Sequence, residues 1–167
     1  MTSLEELLAG REERASLQNS LLQCSDFVCQ ITLNIPGVPK RIENDEEAVS
    51  QYALKFLKLY AQSVTERREL ENGAGFAILM GFIGDAVKAK RAAAELEEGT
   101  AAGRAFDIDI ITKDGPISRT ALGLPERACL LCGQNAKQCA RERRHGAEEL
   151  REAIRKLLKE AVQEPSG

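Results

Sequence analysis

The chain has 167 residues, 43% of them hydrophobic and 29% charged, which suits one soluble globular domain over residues 1–167. A net charge of −3 argues against a general nucleic-acid binder, and no apolar run approaches the roughly 20 residues of a membrane span. The opening sequence lacks the basic-then-apolar pattern of a signal peptide, and the five cysteines are an odd number. We therefore predict reduced thiols and a cytoplasmic protein.

The first predicted helix carries polar residues whose role the spacing leaves open. Ser3 and Glu6 form a capping-box pattern. Arg11 lies on the expected apolar stripe, with Arg14 and Gln18 at i+3 and i+7. One interpretation pairs these side chains with nearby acids or solvent; the other directs a guanidinium pair into a cleft, where it holds phosphate. The residues expected to bury the helix are Leu4, Leu7, Leu8, Ala15 and Leu22.

The remaining pattern alternates helices and strands. Residues 27–35 and 76–83 are predicted strands, and residues 86–98 and 146–162 are predicted helices. Asn44 and Glu47 are expected to cap a further helix, whose aromatic residues we assign to the core. The sequence therefore predicts an α+β domain with a small mixed β-sheet and flanking helices, ending in a loose tail at 163–167.

An acidic strand is the first candidate site. In Phe106–Ile111 apolar and acidic residues alternate, so Asp107 and Asp109 project from the same face. A solvated strand face explains many such patterns, but two adjacent carboxylates are also suited to a divalent metal that carries a phosphorylated substrate. Gly103 permits close backbone approach and Arg104 offers donors to phosphate oxygens. The predicted cation is magnesium.

This arrangement is similar to the active-site strand of nucleotidyltransferases. That superfamily uses a third carboxylate, which the sequence does not identify. Asp85 and Asp114 are candidates, although Asp114 is better explained by the Asp-Gly hairpin turn in which it lies.

A Cys/His-rich module at 125–146 is the second candidate site. Its spacing is C-x2-C-x6-C-x5-H, and three thiols with the chain's one histidine make a candidate structural zinc set. The alternative is that the cysteines are small buried hydrophobic residues. A redox role for the Cys-x-x-Cys pair is disfavoured by the two leucines between the thiols. The set consists of Cys129, Cys132, Cys139 and His145.

Several motifs together resemble one family, the apo-citrate lyase phosphoribosyl-dephospho-CoA transferases, also called holo-acyl-carrier-protein synthases of citrate lyase. The resemblance covers roughly residues 4–146. It is carried by Gly103-Arg104-Ala-Phe-Asp107-Ile-Asp109-Ile, Ile117-Ser118-Arg119, Pro125-x-Arg127-x-Cys129-Leu-Leu-Cys132, Cys139-Ala-Arg141 and His145.

The resemblance implies a defined reaction. The family takes 2'-(5''-triphosphoribosyl)-3'-dephospho-CoA and attaches its phosphoribosyl-dephospho-CoA group to a serine of the acyl carrier (gamma) subunit of citrate lyase, releasing diphosphate. By resemblance, Asp107 and Asp109 are the catalytic pair that holds magnesium. The implied substrate-binding residues are Arg104, Gly103, Arg11, Arg14, Gln18 and Arg119.

Two rival functions stay open at this stage. One is the equivalent transferase for malonate decarboxylase, which handles the same prosthetic group. The other is a non-catalytic adaptor stabilised by zinc, in which the acids have no chemical role. Neither a nucleic-acid nor a membrane partner is expected. The basic run Arg141–His145 is either a solvated face or a grip for phosphate or an acidic partner.

Overall fold

The α+β prediction is confirmed by the computed structural model, which describes residues 3–60 and 63–163. Within them, helices cover both faces of one sheet. The helices are α1 (Leu4–Leu22), α2 (Asp45–Leu59), α3 (Ala86–Glu98), α4 (Ala136–Glu142) and α5 (Ala147–Gln163). The strands are β1 (Phe27–Leu33), β2 (Ser63–Asn72), β3 (Gly75–Ile83), β4 (Phe106–Thr112) and β5 (Gly115–Pro116). Short 3-10 turns span Ala102–Ala105 and Thr120–Leu122.

The sheet has the strand order β2-β3-β1-β4-β5, and all four neighbouring pairs are antiparallel. The expectation of a mixed sheet was therefore wrong. Helices α2 and α3 do connect strands that run in the same direction, but each crossover skips one strand. The skipped strand then lies between them in the opposite direction. The charged edge strand β2 was not predicted, because its side chains are mostly exposed and lack an apolar alternation.

Different sets of buried residues pack on the two faces of the sheet. On one face, Phe27, Cys29 and Ile31 of β1 belong to the main core, together with residues of α2, α3 and α5. The opposite face is a smaller cluster under α1, formed by Leu21, Leu22, Val28, Ala77 and Leu79. Part of this second face is polar, and the candidate site lies there. Among the described residues, no helix is both long enough and apolar enough to cross a membrane.

Helix α1 turns a different face to the sheet than its leucines predicted. The capping box of Ser3 and Glu6 is present as expected. Leu4 and Leu8, however, are 70% and 48% exposed. The buried contact is made at Gly10, where a Cβ would lie 2.5 Å from Asn72 Oδ1. This close approach to the β2–β3 turn fixes the rotation of the helix and brings its polar residues over the sheet.

The N-termini of α2 and α3 differ from two predictions, the Asn44 cap and the role of Asp85 as a third carboxylate. Asn44 has a left-handed backbone (φ 68°) and makes no side-chain cap to α2. The carboxylate of Asp45 instead accepts hydrogen bonds from the N–H groups of Ile42 and Glu46, at 3.1 and 2.8 Å. Asp85, a candidate third carboxylate, caps α3 by accepting from the backbone N–H groups of Val87 and Lys88. The predicted tail lies outside the described residues from 164 onward.

A buried charged pair on α3 replaces a missing neighbour strand. Because β5 has only two residues, it pairs only with the end of β4. At Ile108 the ladder is completed by side chains: Lys90 Nζ donates to the carbonyl oxygen at 3.3 Å, and Glu97 Oε2 accepts from the N–H at 3.2 Å. Both side chains are buried, and Glu97 also accepts from Arg119 Nη2 at 2.9 Å.

We predict that Glu97→Ala lowers the free energy of unfolding by about 3 kcal/mol or more, because it leaves the buried Ile108 N–H and the Nη2 group of Arg119 without their acceptor. Glu95→Ala on the exposed face of the same helix is the matched control, with an expected change within about 0.5 kcal/mol. Urea unfolding measures both. Equal losses of unfolding free energy in the two variants would show that the contacts of Glu97 do not stabilise the fold more than an exposed glutamate does.

Candidate active site

The two acidic residues of β4 project from the α1 side of the sheet, as the alternation predicted. Asp107 and Asp109 are both half-buried, whereas the intervening Ile108 is in the main core. In the ladder, Asp107 lies opposite Thr32 and Asp109 lies opposite Gln30 of β1. The site therefore has a polar floor made by two neighbouring strands.

Asp109 is the less compensated of the two carboxylates. Burial raises its pKa to about 6, and the nearby charges of Asp107 and Glu97 act in the same direction, against Lys90 and Arg127. Within the described part of the chain, its carboxylate forms no hydrogen bond or ion pair. A half-buried carboxylate without a partner is what a cation site requires. The oxygen donors of Asp107 and Asp109 could therefore hold a hard divalent cation.

Asp107 is paired with an arginine to which the sequence had assigned no role. Arg127 forms an ion pair with Asp107 through Nη1 and donates from Nη2 to the carbonyl oxygens of Arg104 (3.0 Å) and Phe106 (2.6 Å). Its Nε also lies 3.7 Å from Glu97 Oε2. Arg127 thus holds the start of β4 and one of the two site carboxylates together.

Helix α1 places cations above this floor. Arg14 Nη2 donates to the Ala74 carbonyl at 2.7 Å, and its Nε is buried without a hydrogen-bond partner. Burial and the neighbouring Arg11 lower the pKa of Arg14, and Asp109 opposes this change. Gln18 Nε2 donates to Gln30 Oε1 at 2.6 Å, beside the register position of Asp109. Arg14 and Gln18 therefore face the carboxylates.

Lys40 is a further cation, in the loop between β1 and α2. Burial lowers its pKa, and the charges of Arg11 and Arg151 lower it further. Its Nζ donates to the Ile35 carbonyl at 2.7 Å. Arg11 itself is exposed and, among the described residues, forms no ion pair. Arg11, Arg14 and Lys40, which we call the cation cluster, thus raise the local positive potential together.

Three other predicted substrate residues lie around the start of β4. Arg104 is exposed and its guanidinium has no ion-pair partner in the described ranges. Gly103 is buried, and a Cβ there would lie 2.2 Å from the Leu96 carbonyl oxygen. Its observed role is therefore close packing on α3. Arg119 is 8% exposed and is held by Glu97 and Glu98. The structure thus commits Arg119 to α3 and does not bring it to the carboxylates.

The Cys/His module brings its four candidate ligands together. The three Sγ atoms and a ring nitrogen of His145 all lie within 4.8 Å of one another, and Cys132 Sγ is 3.4 Å from Cys139 Sγ. Sulfur atoms around a tetrahedral zinc with bonds of about 2.3 Å are separated by about 3.8 Å. The cluster could therefore hold a metal such as zinc. His145 Nε2 is buried without a hydrogen-bond partner, which also fits a ligand role.

Local structure supports a metal-binding turn at Cys129–Gly133. Gly133 has φ 72° and donates its N–H to the Cys129 carbonyl at 3.0 Å. Burial acts to raise the pKa of the Cys129 thiol, but hydrogen bonds from the N–H groups of Cys132 and Leu131, and thiol hydrogen bonds, bring it below its ordinary value. Burial and thiol hydrogen bonds raise the pKa of Cys139 to about 11. The hydrogen bonds of the turn thus act on its first thiol in the direction that metal binding requires.

Sequence analysis missed the residues that connect the site to its support. Lys90 and Glu97 are seven residues apart, hence two helical turns, so a buried charged pair on one face of α3 was detectable from spacing. Gln30 was visible as a polar position within an apolar strand. Arg127 stood in a recognised motif, but its distance of 20 residues from Asp107 gave no local signal.

Together, the half-buried carboxylate pair facing a cation cluster is the kind of site that binds a polyphosphate with a divalent metal. Comparison with known proteins agrees. Residues 2–161 match the family described as apo-citrate lyase phosphoribosyl-dephospho-CoA transferase, and the chain belongs to this family.

Two of the three curated relatives described here carry the same description. A probable apo-citrate lyase phosphoribosyl-dephospho-CoA transferase of Streptococcus pyogenes is 35% identical over 167 residues, covering 93% of this chain and 84% of the relative. The enzyme of that name from Citrobacter koseri is 33% identical, covering 95% of this chain and 90% of the relative. Protein CitXG of Haemophilus influenzae is 37% identical, over 93% of this chain but 34% of its own length.

The raised pKa of Asp109 predicts a pH-dependent stability. Because the folded pKa of about 6 exceeds the model-peptide value of 3.8, the native state keeps a proton that the unfolded chain releases, and stability falls as pH rises from about 4 to 6. In Asp109→Asn this loss is absent. Without added divalent metal, we expect the variant to gain up to about 3 kcal/mol relative to the parent between pH 4 and 7.

Urea unfolding across this pH range measures the difference, and Asp114→Asn in the exposed hairpin turn is the control. A parallel pH profile for the parent and Asp109→Asn would mean that Asp109 titrates as it does in the unfolded chain.

Proposed function

We propose that this protein transfers the phosphoribosyl-dephospho-CoA group from 2'-(5''-triphosphoribosyl)-3'-dephospho-CoA to a serine of the apo acyl carrier (gamma) subunit of citrate lyase, releasing diphosphate. The observation that carries the proposal is the carboxylate pair facing the cation cluster in a chain of this family. The names of these relatives specify the same transferred group and the same acceptor, citrate lyase.

In the proposed reaction the serine hydroxyl oxygen attacks the α-phosphorus of the triphosphate. A new P–O bond to serine forms, the bond from the α-phosphorus to the bridging oxygen of the β-phosphate breaks, and diphosphate leaves. The hydroxyl proton is released to solvent or to a base. No residue is assigned as that base.

The chain's own residues would position and neutralise the triphosphate. Arg14 lies within electrostatic range of Asp109, and Arg11 and Lys40 are its cationic neighbours. Arg14 also has a buried N–H still without an acceptor. Charge-assisted hydrogen bonds to phosphate oxygens would compensate both the repulsion within the cluster and the burial of Arg14. Arg104, in the turn that precedes β4, would contact phosphate groups elsewhere in the donor.

Asp107 and Asp109 would hold magnesium. The chemistry that magnesium would supply there is electrostatic neutralisation of the charge that develops on the leaving diphosphate. Asp109 must lose its proton to act as a ligand, and a cation beside it favours that loss. Arg127 already neutralises part of the charge on Asp107, so its ion pair would have to loosen or share the carboxylate with the metal.

We also propose that the four ligands of the Cys/His module hold a structural zinc ion. The fit rests on the short mutual distances and on the orphaned His145 nitrogen. Three free thiols of this kind need a reducing compartment, which supports the proposed cytoplasmic location.

Asp107→Asn should reduce transfer strongly while the protein stays folded, because the neutral amide oxygen is a much weaker magnesium ligand than the carboxylate. Intact mass spectrometry of the apo carrier subunit, incubated with the protein, magnesium and the triphosphoribosyl donor, detects the added group. Asp26→Asn, outside the site, is the control. Full labelling by Asp107→Asn would contradict the magnesium role, and no labelling by the parent would support the adaptor hypothesis.

The same assay with the carrier subunit of malonate decarboxylase tests the remaining alternative, that the chain is the equivalent transferase for that enzyme. We expect the citrate lyase carrier to be labelled much faster. A preference for the malonate decarboxylase carrier would assign the chain to that system.

Zinc binding predicts a specific spectroscopic signature. The protein should contain one zinc per chain, and replacement by cobalt should give thiolate-to-metal charge-transfer bands and the visible bands of a tetrahedral site. Cys132→Ser should weaken metal binding and lower the melting temperature, whereas Cys24→Ser, an exposed thiol outside the cluster, should change neither. Substoichiometric zinc with all cluster thiols titratable in the folded protein would reject the site.

A further inference from the structure

A cavity of about 750 Å³ lies beside the candidate active site, between the start of β4, the Cys/His module and the beginning of α5. This volume is in the range of cavities that hold small molecules. Apolar side chains form part of its wall, notably Leu130, Leu150 and Ile154. None of the functions described above has used this space.

The cavity has an unusual charge for this protein. Arg104, Arg127 and Arg143 line it, and none of the described residues in its lining is acidic. The chain as a whole has more acidic than basic residues, with a net charge of −3. Arg104 and Arg143 have no ion-pair partner among the described residues, so two guanidinium groups there are available to an anion. A smaller cavity that shares Arg104 and Arg127 differs in this respect, because three glutamates line it.

The cavity and the carboxylate site are adjacent. Arg127 lines the cavity and forms the ion pair with Asp107. The segment that follows β1 separates the cavity from the cation cluster. Its residues Leu33 and Ile35 line the small space that Arg14 and Lys40 also line. Its residues Asn34, Pro36 and Gly37 line the cavity. A ligand held at the carboxylates therefore needs to cross only this segment or the start of β4 to enter the cavity.

We propose that this cavity binds the dephospho-CoA portion of the donor. This inference rests on the proposed function, which supplies the donor's identity. Dephospho-CoA joins an adenosine through a diphosphate to a long uncharged pantetheine arm. The diphosphate suits Arg104 and Arg143, and the arm suits the apolar wall of Leu150 and Ile154. A serine-bearing protein segment would use the apolar wall but not a set of arginines without acidic partners.

The division of labour follows from this placement. The triphosphate would lie between the carboxylates and the cation cluster, and the remainder of the donor would lie in the cavity. Binding energy from the cavity would then hold the α-phosphorus in position without touching the reacting atoms.

The test uses the full chain and 3'-dephospho-CoA itself as the probe, which lacks the reactive triphosphate. Isothermal titration calorimetry should detect its binding, and in the transfer assay it should compete with the donor. Arg143→Gln, which removes a charge, and Leu150→Trp, which fills the cavity, should each weaken probe binding by about tenfold or more. The KM for the donor should rise in parallel, with the KM for the carrier subunit unchanged.

Arg141→Gln is the matched control, because it removes an exposed arginine two residues away that does not line the cavity. Zinc content and melting temperature are measured for each variant, so that damage to the module is not mistaken for a lost contact. Leu150→Ala, which leaves the space open, should keep probe binding much closer to that of the parent than Leu150→Trp does.

Three results would overturn the inference: absence of both probe binding and competition at saturating dephospho-CoA, an equal loss in Arg141→Gln, or a rise in the KM for the carrier alone. The last result would assign the cavity to the carrier's serine segment. Failure of the proposed function is distinguishable, since it would appear as an absence of transfer by the parent protein whatever the calorimetry shows.

Discussion

The buried carboxylate of Glu97 is the interaction on which both the sheet and the site depend. Its Oε2 accepts the N–H of Ile108 in the middle of β4 and lies 3.7 Å from Arg127 Nε, and its Oε1 forms an ion pair with Arg119. A buried charge is tolerated only where such partners satisfy it, because desolvation of an unpaired carboxylate costs several kcal/mol. Since Arg127 in turn holds Asp107, the position of a site carboxylate is determined by packing on the opposite side of β4.

The charges of the site itself are only partly compensated within the protein. Burial raises the pKa of Asp109, while burial and neighbouring cations lower the pKa values of Arg14 and Lys40. The charged forms of the acidic and the basic groups are thus both less stable here than in water, although the groups lie near one another. Such perturbation is typical of functional sites. A divalent cation would relieve the carboxylates and a polyphosphate would relieve the cation cluster, so the two ligands together complete what the side chains do not.

The parts of the molecule that were predictable from sequence are those with local signals. The capping box of α1, the alternation of β4 and the Asp-Gly hairpin each rest on residues a few positions apart, and the structure has all three. The sheet direction was not predictable in this way, because a crossover helix does not reveal that a strand is skipped. The buried face of α1 depends on Gly10 meeting Asn72, a contact across 62 residues. For the site, strand alternation placed Asp107 and Asp109 correctly on one face, but Lys40 and Arg127 act through long-range contacts.

The Cys/His module and the acidic strand form one continuous arrangement. Arg127 stands two residues before Cys129, and its carbonyl accepts the N–H of Ala136 at 3.0 Å, at the start of the helix that carries Cys139. Arg143, at the other end of that helix, lies two residues before His145. The backbone that would hold a metal therefore also places one arginine on Asp107 and another on the cavity wall. A metal ion in the cluster would stabilise folding of the module, and in doing so it would fix the spacing between the two arginines. A structural metal would thereby have a physical connection to phosphate binding.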